Sequence, residues 1–165
     1  MAKPERYVDR RAEVRKHLRE IEDLVLVADE QNDLVVRGHL QRLAVIRLSG
    51  FVEKTVEHVL NGYLEEHSSH RVLRFGKRQV SRLPNMNPSK LETWIGAFDD
   101  DWRLEFIDYL KVDERRQTLG NLVGARHKLA HGGAYGGLNG ATLSGYHEVA
   151  EGVAEFLMER FLPLR

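Results

Sequence analysis

Gly124-Ala125-Arg126-His127-Lys128-Leu129-Ala130-His131-Gly132-Gly133 is the stretch whose reading decides the fold. Traced back to Leu119, the apolar residues Leu119, Leu122, Val123, Leu129 and Ala130 recur at three- and four-residue steps, the period of an α-helix with one face in a core. The paired glycines after His131 read as the C-cap of that helix. Arg126 falls inside the apolar stripe, and a guanidinium, charged at every physiological pH, needs a partner there. That partner is either a phosphate or a structural carboxylate, and Glu53 of a long upstream helix is the carboxylate to consider. His131 brings the side chain type that titrates nearest neutrality. On a continuous helix, residues five apart point about 140° away from each other. Arg126 and His131 therefore meet one ligand only if His131 is the last helical residue, where the chain unwinds into Gly132, or if a second subunit completes the site.

Outward from this helix the pattern stays helical. A first helix from about Pro4 to Glu30 has the seam Tyr7, Val14, Leu18, Ile21, Val25 and Ala28. Asn32-Asp33 marks a turn, and a second helix runs to about Glu66. Its apolar arc is wide: Leu40, Leu43, Ile46 and Phe51 form one stripe, and Val45, Leu48, Val52, Val59 and Tyr63 another. Such a helix is central to a bundle or shared with a partner. A basic helix near His70 to Arg82 precedes the break Leu83-Pro84-Asn85-Met86-Asn87-Pro88. Shorter helices follow, one from Pro88 through Phe98 and one after Asp99-Asp100-Asp101. The motif helix opens at Asp113, and a last helix from about Ser144 carries Tyr146, Val149, Val153, Phe156 and Leu157. No strand alternation or internal repeat is found. The fold class is all-α, and residues 1–165 read as a single domain.

Composition narrows the chemistry. The 165 residues include no cysteine, which excludes disulfides, thiolate zinc sites and cysteine nucleophiles. No apolar run approaches membrane-spanning length, and the N-terminus lacks a signal-peptide core, so a cytoplasmic protein with no membrane association is expected. With 25 basic and 25 acidic residues the formal charge is zero, and nucleic-acid binding would have to be local. No acidic residue lies between Glu66 and Glu92, an interval holding Arg71, Arg74, Lys77, Arg78, Arg82 and Lys90. Arg71, Arg74, Arg78 and Arg82 share one side of a helix, as a ridge for a phosphate backbone or as a solvated face.

Other features rank lower. His127 and His131 have a metal-ligand spacing, but no glutamate stands at the second position and no obvious third ligand is nearby, so no metal is expected; His67 and His70 read as polar residues at a helix end. The glycine-rich run from Gly132 to Gly140 lacks the Lys-Ser or Lys-Thr of a phosphate loop and reads as a flexible connection, although Tyr135 within it can stack on a base. Arg47, among Leu43, Ala44, Gly50 and Phe51, lines the same cleft as Arg126 or snorkels to the surface.

Arg126-His127-Lys128-Leu129-Ala130-His131 resembles the signature of the HEPN superfamily: an arginine, then Asn, Asp or His, then three residues and a histidine. The run Arg47-Leu-Ser-Gly-Phe-Val-Glu53 resembles the second-helix motif of its RiboL-PSP-type branch, found in prokaryotic defence and toxin systems. The resemblance covers roughly Leu40 to Leu162. It implies a helical bundle with long antiparallel helices plus shorter accessory helices, forming a homodimer whose motif residues face one interface cleft. It implies metal-independent RNA cleavage with no cofactor, Arg126 and His131 being catalytic, and a possible antitoxin protein as partner. His127, Arg47, Arg74, Arg78 and Tyr135 would contact substrate, and Glu53 would give structural support. A module that binds RNA, a nucleotide or a protein without turnover is the alternative.

Overall fold

Short polar side chains set where the chain turns into helix, because each can accept a hydrogen bond from an amide that the first turn leaves unpaired. The computed structural model describes residues 9–83, 85–133, 136 and 138–163, and the regular structure among them is helical throughout. Asp9 accepts from the Ala12 amide (3.0 Å) to open α1, Arg10–Asp29. Asp33 accepts from Val35 (2.8 Å) and Val36 (3.2 Å) to open α2, Leu34–His67. The basic helix α3, His70–Val80, follows without a side-chain cap. Asn87 caps α4, Pro88–Gly96, and Asp99 caps α5, Asp100–Lys111. A 3-10 turn, Val112–Glu114, leads into the motif helix α6, Arg115–Ala130; Asn139 caps α7, Gly140–Phe161.

Several boundaries differ from expectation: α3 ends at Val80 rather than Arg82, which leaves Arg82 outside the helix, and α4 ends at Gly96 rather than Phe98. α1 is described from Arg10, and Tyr7, assigned to its seam, lies outside the described residues. α6 does not open at Asp113: Asp113 (φ 51°) and Glu114 (φ 56°) are both left-handed, so the helix can begin only at Arg115. α7 begins at Gly140 rather than near Ser144, because the Asn139 side chain reaches the Thr142 amide (2.8 Å) and makes the end of the glycine-rich run a cap.

α2 is the axis of the bundle. It packs against α1 through a tight turn and against α7 and α6 along its length, and α4 and α5 close over α6. Val45, Leu48, Phe51, Val52, Val56 and Val59 are all buried in a core that takes side chains from every α-helix, from Val14 on α1 to Phe161 on α7. Of the other stripe expected on α2, Phe51 alone is fully buried; Leu40 and Ile46 are half-buried and Leu43 is exposed, because the first turns of α2 stand uncovered with Leu34, Val35 and Val36. At the opposite end of the bundle Phe161 sits among Trp94, Trp102, Phe98 and Tyr63, ring centroids 5.1, 5.1, 5.3 and 5.7 Å away. Arg11 fastens the same end, donating to the carbonyls of Met158 (3.2 Å) and Leu162 (2.7 Å) past the last turn of α7.

Two histidines make this core sensitive to mild acid. Burial pushes the His17 imidazole below its ordinary value, helped by Arg47, and burial acts in the same direction on His58, helped by Arg10. Below about pH 6.5 the unfolded chain takes up protons that the folded chain refuses, so stability is full above that pH and falls as pH drops through the window beneath it. The urea midpoint should be lower at pH 5.5 than at pH 7.5, and His17→Gln with His58→Gln should flatten the difference.

Candidate active site

The motif helix is held rigidly at its start. Arg115 donates to the Tyr109 carbonyl (3.3 Å) and lies 4.5 Å from the centre of the Tyr109 ring, a cation stacked on an aromatic face. The Tyr109 hydroxyl in turn occupies the space beside Gly152 of α7, where a Cβ would sit 2.1 Å from it. From there α6 buries Leu119, Leu122 and Ala125, half-buries Val123 and Leu129, and leaves Ala130 exposed. Arg126 stands at the margin of this stripe, not deep within it. Its side chain keeps 30% of its accessible surface.

Guanidinium geometry then decides what Arg126 can do. Nη1 donates to Glu53 Oε1 on α2 and to Asn85 Oδ1 (3.3 Å) in the segment between α3 and α4. This is the ion pair that the sequence left as the alternative to phosphate binding. It engages a single nitrogen. Among the described residues neither Nε nor Nη2 has a hydrogen-bond partner, which leaves one edge of the planar fork able to take two oxygens of a second anion.

The far end of α6 is finished by backbone chemistry. His131 is the C-cap, Gly132 adopts φ 72°, and the amides of Gly132 and Gly133 donate to the carbonyls of Leu129 (3.2 Å) and Lys128 (2.9 Å). Those are the two bonds of a Schellman ending, and they require a residue at ease in the left-handed region. Gly132→Ala should cost about 1 kcal/mol or slightly more. Urea unfolding measures that cost. The cap places the His131 ring against His127, centroids 4.5 Å apart, and both histidines are exposed. Among the described residues no third ligating side chain joins them.

The residues singled out from sequence thus fall into separate groups. Arg126 and Glu53 meet; His127 and His131 meet; among the described residues no hydrogen bond or ring contact joins the two groups. Arg47 is drawn to Glu20 of α1 (3.3 Å) and does not join Arg126. Arg74 and Arg78 are exposed on α3, and Tyr135 lies outside the described residues. Asn85 was missed. It was read only as part of a helix break, and no spacing links an amide in a connecting segment to a helix forty-one residues later.

A family model described as RiboL-PSP-HEPN matches residues 5–161. Comparison with curated proteins and with solved structures gives no match. The matched span takes in α1 through α7, so it covers the α2–α6 contact made by Glu53 and Arg126 as well as the capped histidine end. With nearly its whole length matched in this way, the chain belongs to the RiboL-PSP-HEPN family, a family of HEPN-type helical bundles.

Proposed function

We propose that this protein is a metal-independent endoribonuclease whose active cleft forms where two copies bring their α6 ends together. The observation that carries the reading is the half-engaged fork of Arg126: Glu53 and Asn85 hold Nη1 and orient the plane, while Nε and Nη2 face no protein acceptor among the described residues. A ribose 2′-hydroxyl attacks the adjacent phosphorus, the bond from phosphorus to the 5′-oxygen breaks, and a 2′,3′-cyclic phosphate and a 5′-hydroxyl result. His131 takes the 2′ proton and passes it to the leaving 5′-oxygen, and Arg126 stabilises the charge that builds on the phosphoryl oxygens. His127 orients the cleft beside His131 without itself transferring the proton. A two-fold axis supplies each side chain twice, which reconciles the separate directions of Arg126 and His131. Arg74 and Arg78 bind the phosphate backbone; Arg47 and Tyr135 are secondary substrate contacts.

The chemistry needs the 2′-hydroxyl. An RNA with one 2′-deoxynucleotide at a mapped cut site should resist cleavage there while being cut elsewhere, and DNA of the same sequence should survive. Cleavage at the deoxynucleotide would refute the mechanism. A cytoplasmic toxin restrained by an antitoxin protein fits this activity: expression arrests growth and His131→Ala relieves it. The Glu53 ion pair favours a second reading, a HEPN module that binds RNA without turnover, and in that case RNA binds and no cyclic-phosphate ends form.

A further inference from the structure

α3 carries cations that the bundle does not use. Lys77 pairs with Glu65 of α2 (2.7 Å), and Gly76 lets the helix close onto Leu64 of α2, while Val80 is buried. Outward, at about 100° per residue, Arg71, Arg74 and Arg78 share an arc of roughly 60°. Arg82 lies in the turn that follows. Among the described residues none of these four arginines has a carboxylate partner, although the chain as a whole pairs many of its charges. Phe75 borders the arc about 40° further round, with 65% of its surface exposed. An open depression runs along the helix between His70, Arg74, Arg78 and Ser81.

Position matters as much as composition. Asn85 is three positions on from Arg82, a span of at most about 11 Å, and it touches Arg126. The basic face therefore ends beside the segment that contacts the motif arginine.

We propose that α3 is a tether for single-stranded RNA: its four outward arginines follow successive phosphates, Phe75 stacks on an unpaired base, and the strand is led past Asn85 to Arg126. Guanidinium groups without carboxylates are set for phosphates, and an aromatic ring flush with them has a π-face that any unpaired base can cover. A duplex keeps its base faces stacked and offers Phe75 nothing. The tether rests on RNA being the substrate of the α6 site.

Its test avoids dependence on turnover. A labelled single-stranded RNA of about twelve nucleotides is titrated by fluorescence anisotropy against the full chain carrying His131→Ala, at several salt concentrations. Four phosphate contacts predict that log K falls with log salt at a slope of about −3, and Arg74→Ala with Arg78→Ala should halve that slope. Phe75→Ala should weaken binding about tenfold with little change in slope, and Phe75→Trp should restore it. All these positions are exposed, and thermal melts confirm that the variants fold. Unchanged affinity in the variants overturns the tether, as does equal affinity for duplex RNA. Two other results also overturn it: binding to phosphatidylglycerol vesicles that RNA does not compete away, or variants that alter the solution mass instead of RNA affinity. A parent protein that binds RNA through α3 but never cleaves it leaves the tether standing and removes the nuclease reading. Cleavage with ridge variants that bind as tightly as the parent does the reverse.

Discussion

Arg126→Ala and His131→Ala should each reduce RNA cleavage a hundredfold or more. Proton transfer by a positioned imidazole is worth about 10²–10⁴ in rate, and a preorganised charge on a developing oxyanion about 10²–10³. Both losses should appear in kcat, because the groups act chiefly in the transition state. The arginine offers a finer test. Arg126→Lys keeps the charge but loses the planar fork, so it should recover little activity if Nε and Nη2 grip two phosphoryl oxygens. Glu53→Gln keeps shape and removes the carboxylate that orients Nη1. It should lose less than Arg126→Ala, and a positioning role should leave KM nearly unchanged while kcat falls. Stability should move little in either variant, since a pair with side chains about one-third exposed contributes on the order of 1 kcal/mol or less.

Phe161→Ala should be the most destabilising single substitution at the aromatic end of the bundle, by about 3–5 kcal/mol. Phe161 is fully buried and meets Tyr63 of α2, Trp94 of α4, Trp102 of α5 and Phe98 in the turn between α4 and α5. Removing it opens a cavity that none of four rigid rings can fill by a rotamer change. Against a typical total of about 5–15 kcal/mol the loss is large. Thermal unfolding should shift downward by roughly 10 °C or more. The effect should also loosen the end where Arg11 grips the Met158 and Leu162 carbonyls, a change that amide exchange in α7 would register.

Much of the bundle was legible in residue periodicity. α2 was readable because Val45, Leu48, Val52 and Val59 repeat a helical step, and the starts of α4 and α5 because Pro88 and Asp99–Asp101 are strong start signals. The entry to α6 was not. Two consecutive left-handed acidic residues precede it, beside the Arg115–Tyr109 stack, and no local preference announces that conformation. The start of α7 was hidden because the run from Gly132 to Gly140 reads as loop, whereas the side chain of Asn139 decides the matter.

The site was legible in its parts and not in its wiring. The Gly132–Gly133 ending and the contact of His127 with His131 follow from local geometry, since i and i+4 side chains share a helix face. That Arg126 would sit half-exposed at the rim, with one nitrogen held and two open, depends on how α6 docks on α2 and on where Asn85 falls. Those are tertiary facts. Periodicity places a residue on a stripe and leaves open how deeply the stripe is covered.

The most direct measurement is mass spectrometry of the ends left on a single-stranded RNA after incubation with purified protein in excess EDTA. Fragments ending in 2′,3′-cyclic phosphate and beginning with 5′-hydroxyl, absent with the His131→Ala protein, are the predicted result. RNA left intact, or fragments bearing 5′-phosphate ends, would contradict it.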